Sequence, residues 1–252
     1  MPVSTSAKVS LTPKKLLVVG DLQIPFQDDR AVAAMLNLAA DLAPDFVYLI
    51  GDIIDFYAIS SHLPDPSRPL QQEIERTHRF LDDMNAATPS AAVRYYIEGN
   101  HEDRLRKYIW SHSPVLSENP MLTLSTQLGL TERGYIHITY PHGVLHNDLY
   151  LVHGDLVSKH SAYTAKQMLD HYGMSGISGH THRLGSHYKT TLGGPLGWWE
   201  NGCLCRLDLD YDDKPNWQQG FSVVTFDGRQ FYVEQVPIIK GKLIYGGRLY
   251  RA

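Results

Sequence analysis

Val47-Tyr48-Leu49-Ile50-Gly51-Asp52-Ile53-Ile54-Asp55 is the stretch on which the reading of the chain turns. Four apolar residues in a row predict a strand buried on both faces, cut short by a glycine and followed at once by a carboxylate. A strand that hands an acid from its C-terminal end to a loop is how open α/β sheets place ligands and metals. The design recurs: Val18-Val19-Gly20-Asp21, Tyr96-Ile97-Glu98-Gly99-Asn100-His101, Leu151-Val152-His153-Gly154-Asp155 and Ile177-Ser178-Gly179-His180-Thr181-His182 close four further apolar runs. Five strand ends that present Asp, Asp, Asn-His, His and His-x-His point to a metal site.

Bulk composition sets the frame. The 252 residues can bury a substantial core, and 43% hydrophobic with 20% charged residues is ordinary for a globular chain. No apolar run approaches the ~20 residues that span a bilayer. Met1 to Thr12 lacks the layout of a signal peptide, so the expectation is a loose tail over residues 1–12, one domain over 13–252, and a cytoplasmic protein. A net charge of −4 leaves no overall electrostatic footprint for nucleic acid. The two cysteines, Cys203 and Cys205, would share one face of a strand and read as small buried hydrophobes rather than a disulfide.

In order, Lys15 to Val19 is predicted as a strand, Asp28 to Leu42 as a helix and Phe46 to Ile50 as a strand parallel to the first. Leu70 to Ala87 is an amphipathic helix with Ile74, His78, Leu81 and Met84 inward, and Val93 to Ile97 is the third strand. A helix begins at Arg104, Tyr135 to Tyr140 is an edge strand, Leu149 to Val152 a further strand, and Ser161 to Tyr172 a helix capped by Gly173. Leu192 to Gly202, with Trp198-Trp199, reads as a glycine-rich loop. Strands follow at Cys203 to Leu209, Phe221 to Phe226 and Gln230 to Val236, the last two joined at Asp227-Gly228. A parallel half followed by an antiparallel half predicts two sheets packed face to face with helices outside.

Asp21-x-Gln23, Gly51-Asp52-x-x-Asp55, Gly99-Asn100-His101-Glu102, His153-Gly154-Asp155 and Gly179-His180-Thr181-His182 together resemble the ordered motif set of the calcineurin-like metallophosphoesterases. The chain is similar to the compact bacterial and phage members. The resemblance implies an α/β fold, two mixed β-sheets in a four-layer αββα sandwich. It also implies two divalent ions, one on Asp21, Asp52 and His182, the other on Asp52, Asn100, His153 and His180. Mixed carboxylate, amide and imidazole donors suit first-row metals: manganese is the expected ion, with iron, nickel, cobalt or zinc as alternatives. The implied activity is hydrolysis of a phosphate ester, a diester in preference to a monoester, by a metal-bridging hydroxide.

His101 follows a ligand and is similar to the family's residue that assists the leaving group. Asp55, Glu102 and Asp155 read as acids that orient imidazoles or cap loops. Gln23 departs from the family's usual Asp-x-His. It is either a direct, weaker ligand that leaves the first site weak, or a holder of water or substrate oxygen. Arg104 is the candidate substrate-binding residue, with Arg106 and Arg183 similarly placed. The alternatives to a phosphodiesterase are a DNA or RNA nuclease of the same family, with nucleotide or nucleic acid as substrate, and a weakly active or non-catalytic binding protein on this fold.

Overall fold

The computed structural model describes residues 13–60, 67–208 and 215–252. The predicted tail over residues 1–12 lies outside them.

Strands β1 (Lys14–Val19), β2 (Phe46–Leu49), β3 (Val93–Ile97) and β4 (Tyr135–Ile138) run parallel in that order, linked by helices α1 (Asp29–Leu42) and α2 (Leu70–Ala87) and, before β4, α3 (Asp103–His112) and α4 (Leu124–Leu128). A second sheet comes from the middle of the chain. Its strands are β5 (Val144–His146), β6 (Leu149–Val152), β7 (Ser175–Ser178), β8 (Leu184–Thr191) and β9 (Gly194–Asn201), ordered β5-β6-β7-β9-β8, with α5 (Tyr163–Tyr172) between β6 and β7. The chain then returns to the first sheet as β10 (Gly220–Asp227) and β11 (Gln230–Pro237), antiparallel beside β1. Both sheets are therefore mixed, and the division into a parallel and an antiparallel half gives way to one sheet nested inside the other in sequence.

Alternation along the central strands explains the layering. Leu17, Val19, Val47 and Leu49 face α1 and α2 in one core, while Leu16, Val18, Tyr48 and Ile50 face Leu149, Leu151, Ile177 and Trp199 of the second sheet in another. Val152 and Trp198 turn to the far side, against Ala165, Met168 and Leu169 of α5. The result is the predicted helix–sheet–sheet–helix sandwich. A final hairpin, β12 (Lys242–Tyr245) and β13 (Arg248–Arg251), adds Leu243 and Tyr250 to the first core beside α1. No described helix is long and apolar enough to cross a membrane.

Two local expectations fail. Leu192 to Gly202 is mostly strand β9, paired with β8 from Leu184↔Asn201 to Thr191↔Gly194, and both tryptophans are buried. Trp198 stacks on Tyr172 with ring centroids 5.3 Å apart, and Trp199 packs in the core between the sheets. Of the predicted strand Cys203 to Leu209, Leu209 lies outside the described residues, and the described part makes only isolated bridges, Cys203↔Gln219 and Gln27↔Cys205, because it crosses between the sheets instead of joining one.

Candidate metal centre

The C-terminal ends of β1, β2, β3, β6 and β7 meet at one edge of the sandwich. Asp21 and Asp52 arrive two and three residues beyond β1 and β2, and Asn100 three beyond β3. His153 directly follows β6, and His180 and His182 follow β7. The backbone bends sharply to deliver them: Asp21, Gln23, Asp52, His180 and His182 all take left-handed conformations, with φ of 53°, 55°, 52°, 69° and 56°. Such conformations cost roughly 1–3 kcal/mol each in non-glycine residues and persist where surrounding structure imposes them. Gly51 and Gly99 permit the crowding. A Cβ on Gly51 would lie 2.6 Å from the Gly99 nitrogen and 2.7 Å from His153 Nδ1, and one on Gly99 would strike the Asp52 carboxylate.

Glu102 ties these ends together. Its buried carboxylate accepts from the amides of Asp52, Ile53 and Gly99, each at 2.8 Å, and from the Tyr96 hydroxyl at 2.9 Å. Burial, then the Asp52 charge, raises its pKa.

Two donor groups result. Ligand atoms of Asp21, Asp52 and His182 lie within 4.8 Å of one another, and so do those of Asp52, His153 and His180. Asp52 belongs to both, and its Oδ2 lies 3.3 Å from His153 Nε2. His153 Nδ1 donates to the Ile50 carbonyl at 2.9 Å, which directs Nε2 into the site, where Asn100 Oδ1 lies 3.0 Å away. His182 Nε2 is 3.3 Å from Asp21 Oδ1. Gln23 Nε2 donates to Asp52 Oδ2 at 3.0 Å and lies 3.3 Å from His182 Nε2, so its amide projects into the first group.

The residues fit a cation. Asp21 Oδ2 and Gln23 Oε1 are buried without a hydrogen-bond partner among the described residues, and buried acceptors of that kind are costly. Burial alone would depress His153, yet the Asp52 carboxylate, followed by Asp21 and Glu102, outweighs it and pushes the pKa up to about 10. Carboxylates that force a proton onto a buried imidazole demand positive charge, and a divalent ion meets that demand while the imidazole stays a neutral ligand. His180 is pushed down to about 4, by burial and then by His153, and so keeps a lone pair.

A family model described as calcineurin-like phosphoesterase matches residues 14–201. The chain belongs to that family. The activity that goes with membership is metal-dependent hydrolysis of a phosphate ester. This phosphoesterase is 29% identical over 260 residues to the Gene 54 protein of Mycobacterium phage L5 and 30% identical to that of phage D29. In each case 94% of this chain and 98% of the relative are covered. Vacuolar Protein Sorting 29 from Cryptosporidium parvum has the same fold, with a TM-score of 0.51 at 14% identity, 95% of this chain and 97% of that one being covered.

Other candidates in the phosphoesterase fall where the sequence alone could not put them. His101 lies beside the centre, its amide donating to Asp52 Oδ1 at 3.0 Å, its Nδ1 3.2 Å from Asp55 Oδ2 and its Nε2 3.7 Å from Asp52 Oδ2. Arg104 reaches back to Asp55, donating to its carbonyl and Oδ1, both at 2.8 Å, with Nη2 3.2 Å from His101 Nε2. Arg106 pairs with Glu98 and Asp103, and Arg183 donates to the carbonyls of Asn216 and Ser158, so both are engaged within the protein. Asp155 is exposed and orients no imidazole among the described residues. Cys205 was legible only as a buried hydrophobe, yet its Sγ lies 3.7 Å from His182 Nδ1, and Cys203 completes a compact group with them. Trp217 packs edge-on against His182 with ring centroids 4.6 Å apart. Neither contact leaves a spacing signal, because both cross from a separate segment.

Proposed function

We propose that this phosphoesterase is a two-metal phosphodiesterase, with manganese as the working ion, in which His101 protonates the leaving alkoxide. Asp21, Asp52, His182 and Gln23 would hold one ion, and Asp52, Asn100, His153 and His180 the other. When bound, the ions act as Lewis acids that lower the pKa of a water and offset charge on the phosphoryl oxygens.

The placement of His101 carries the reading. Its side chain is 15% exposed beside an Asp52 side chain that is only 2% exposed, so the imidazole is the part that can meet a substrate. Asp55 Oδ2 lies 3.2 Å from Nδ1, out of line for a hydrogen bond, so its charge favours a proton there and leaves Nε2 toward the centre. With no ion bound, burial works against the charged form while Asp52 and then Asp55 raise the His101 pKa; once cations occupy Asp52, Asp55 is the acid that favours the imidazolium. An imidazolium at Nε2 can give its proton to a departing alkoxide. Arg104, held by Asp55 alongside Nε2, is placed to trade the imidazole for a phosphoryl oxygen as its acceptor.

The test is hydrolysis of bis-p-nitrophenyl phosphate beside p-nitrophenyl phosphate after metal is stripped and restored singly, with Asn100→Ala as the site control. Turnover should need metal, favour the diester and vanish in the control. His101→Ala should lower kcat by about 10²–10⁴ on a dinucleoside phosphate, whose leaving alkoxide needs a proton, and far less on the p-nitrophenyl diester. Equal losses on both, at unchanged metal content, would remove His101 from the leaving-group role.

A further inference from the structure

We propose that a pocket beside the metal centre binds a second, non-reacting phosphate on a nucleotide-type substrate. The inference rests on the phosphodiesterase reading and extends it to substrate choice. A cavity of about 330 Å³ opens among Phe26, Gln27, Arg68, Gln72, Arg76 and Arg206. Its guanidinium groups come from two separate parts of the chain: Arg68 and Arg76 from α2 and its approach, and Arg206 from the crossing that follows Cys205. In a chain whose net charge is −4, such a convergence needs a reason.

The pocket adjoins the metal ligands. The Phe26 amide donates to the Gln23 carbonyl at 2.6 Å, and the Arg206 amide to the Phe26 carbonyl at 2.9 Å. Cys205, the residue before Arg206, touches His182. Phe26, which lines the pocket, shares one small apolar cluster with the two cysteines, so the pocket wall runs on to the side chain that touches His182.

The acids at the pocket are already engaged. Glu73 takes the amides of Tyr57 and Ala58 at 3.0 Å on its two carboxylate oxygens, and Asp29 Oδ1 accepts from Gln27 at 2.9 Å. Arg76 and Arg206 are less committed to carboxylates. Arg76 has no ion pair among the described residues, and Arg206 is 4.0 Å from an exposed Asp208. Arg68 lies over the rings of Phe26 and Tyr57 at 5.2 and 5.4 Å, which orients its guanidinium at the rim. Guanidinium forks match phosphate oxygens, and Arg76 and Arg206 at one cavity suit a phosphate dianion.

The experiment compares the p-nitrophenyl ester of thymidine 5′-phosphate with the same ester carrying a 3′-phosphate, in the parent chain and in the double variant Arg76→Ala/Arg206→Ala. In the parent the extra phosphate should raise kcat/KM tenfold or more, and in the variant that ratio should fall toward one. A ratio near one in the parent, or one that the variant leaves intact, overturns the subsite. If neither ester turns over with any metal, the phosphodiesterase reading is what has failed. Calorimetry with inorganic phosphate then decides the pocket: at least tenfold weaker binding in the double variant supports it, and equal binding overturns it.

Discussion

Gln23 is the residue on which the strength of the centre depends. It is fully buried, and its amide nitrogen sits between Asp52 Oδ2 and His182 Nε2 while its oxygen has no partner among the described residues. Rotating the amide by half a turn exchanges the two atoms and presents the orphaned oxygen to a cation. A neutral amide is a poorer donor to first-row ions than imidazole, so Gln23→His should tighten manganese binding at the Asp21–Asp52–His182 site by about tenfold or more. Titration calorimetry reads the affinity directly. An unchanged constant would mean that position 23 does not ligate the ion. The carboxylates and histidines of the centre were legible because each closes an apolar run. Cys205 and Trp217 were not, since what they touch is set by a chain crossing without periodicity.

At the scale of elements, α2 shows how a buried acid couples a helix to the loop below the centre. Glu73 accepts the amides of Tyr57 and Ala58, and its pKa is raised from an ordinary 4.5 to about 7. Burial is the main cause; the Ala58 amide opposes it, and the Asp55 charge adds to it. The folded chain thus holds this proton longer than the unfolded one. The group contributes stability that is full below about pH 4.5 and is lost as pH rises through about 7. Glu73→Gln cannot lose a proton, so the difference in Tm between parent and variant should shift in the variant's favour from pH 5 to pH 8. Parallel thermal scans across that range check it, and a constant difference would sink the assignment. The helices α1, α2 and α5 followed from apolar spacing and, for α5, from its Gly173 cap. Strand β9 did not, because Gly194-Pro195-Leu196-Gly197 carries turn chemistry, and only pairing with β8 holds it extended.

For the whole molecule, the centre is a seam between two sheets. Asp21, Asp52 and Asn100 come from the first sheet, and His153, His180 and His182 from the second, so a bound ion ties both layers at one edge. Ions that bind only the folded chain should stabilise it by about 2.7 kcal/mol per site at a hundred times Kd. For a chain of this length that is roughly 5–10 °C in Tm for one site. Manganese should raise the Tm of the parent by that order and chelator should reverse it. Asp52→Asn, which weakens the carboxylate shared by both donor groups, should lose most of the shift. A full shift in that variant would place the stabilising ion elsewhere.

Taken alone, the sequence determined the class of fold, the strand ends that carry chemistry and the types of donor they present. Those properties are local: a run of apolar residues, a glycine that lets two chains approach, a carboxylate or imidazole next to it. Only the tertiary structure decided that β10 and β11 return to flank β1, that the tryptophans are core, and that Arg106 and Arg183 are engaged within the protein. It alone brought Arg206 to one pocket with Arg68 and Arg76 of the α2 region. Such facts depend on which layers meet across the sandwich, and contacts between residues far apart in the chain leave no periodic trace in it.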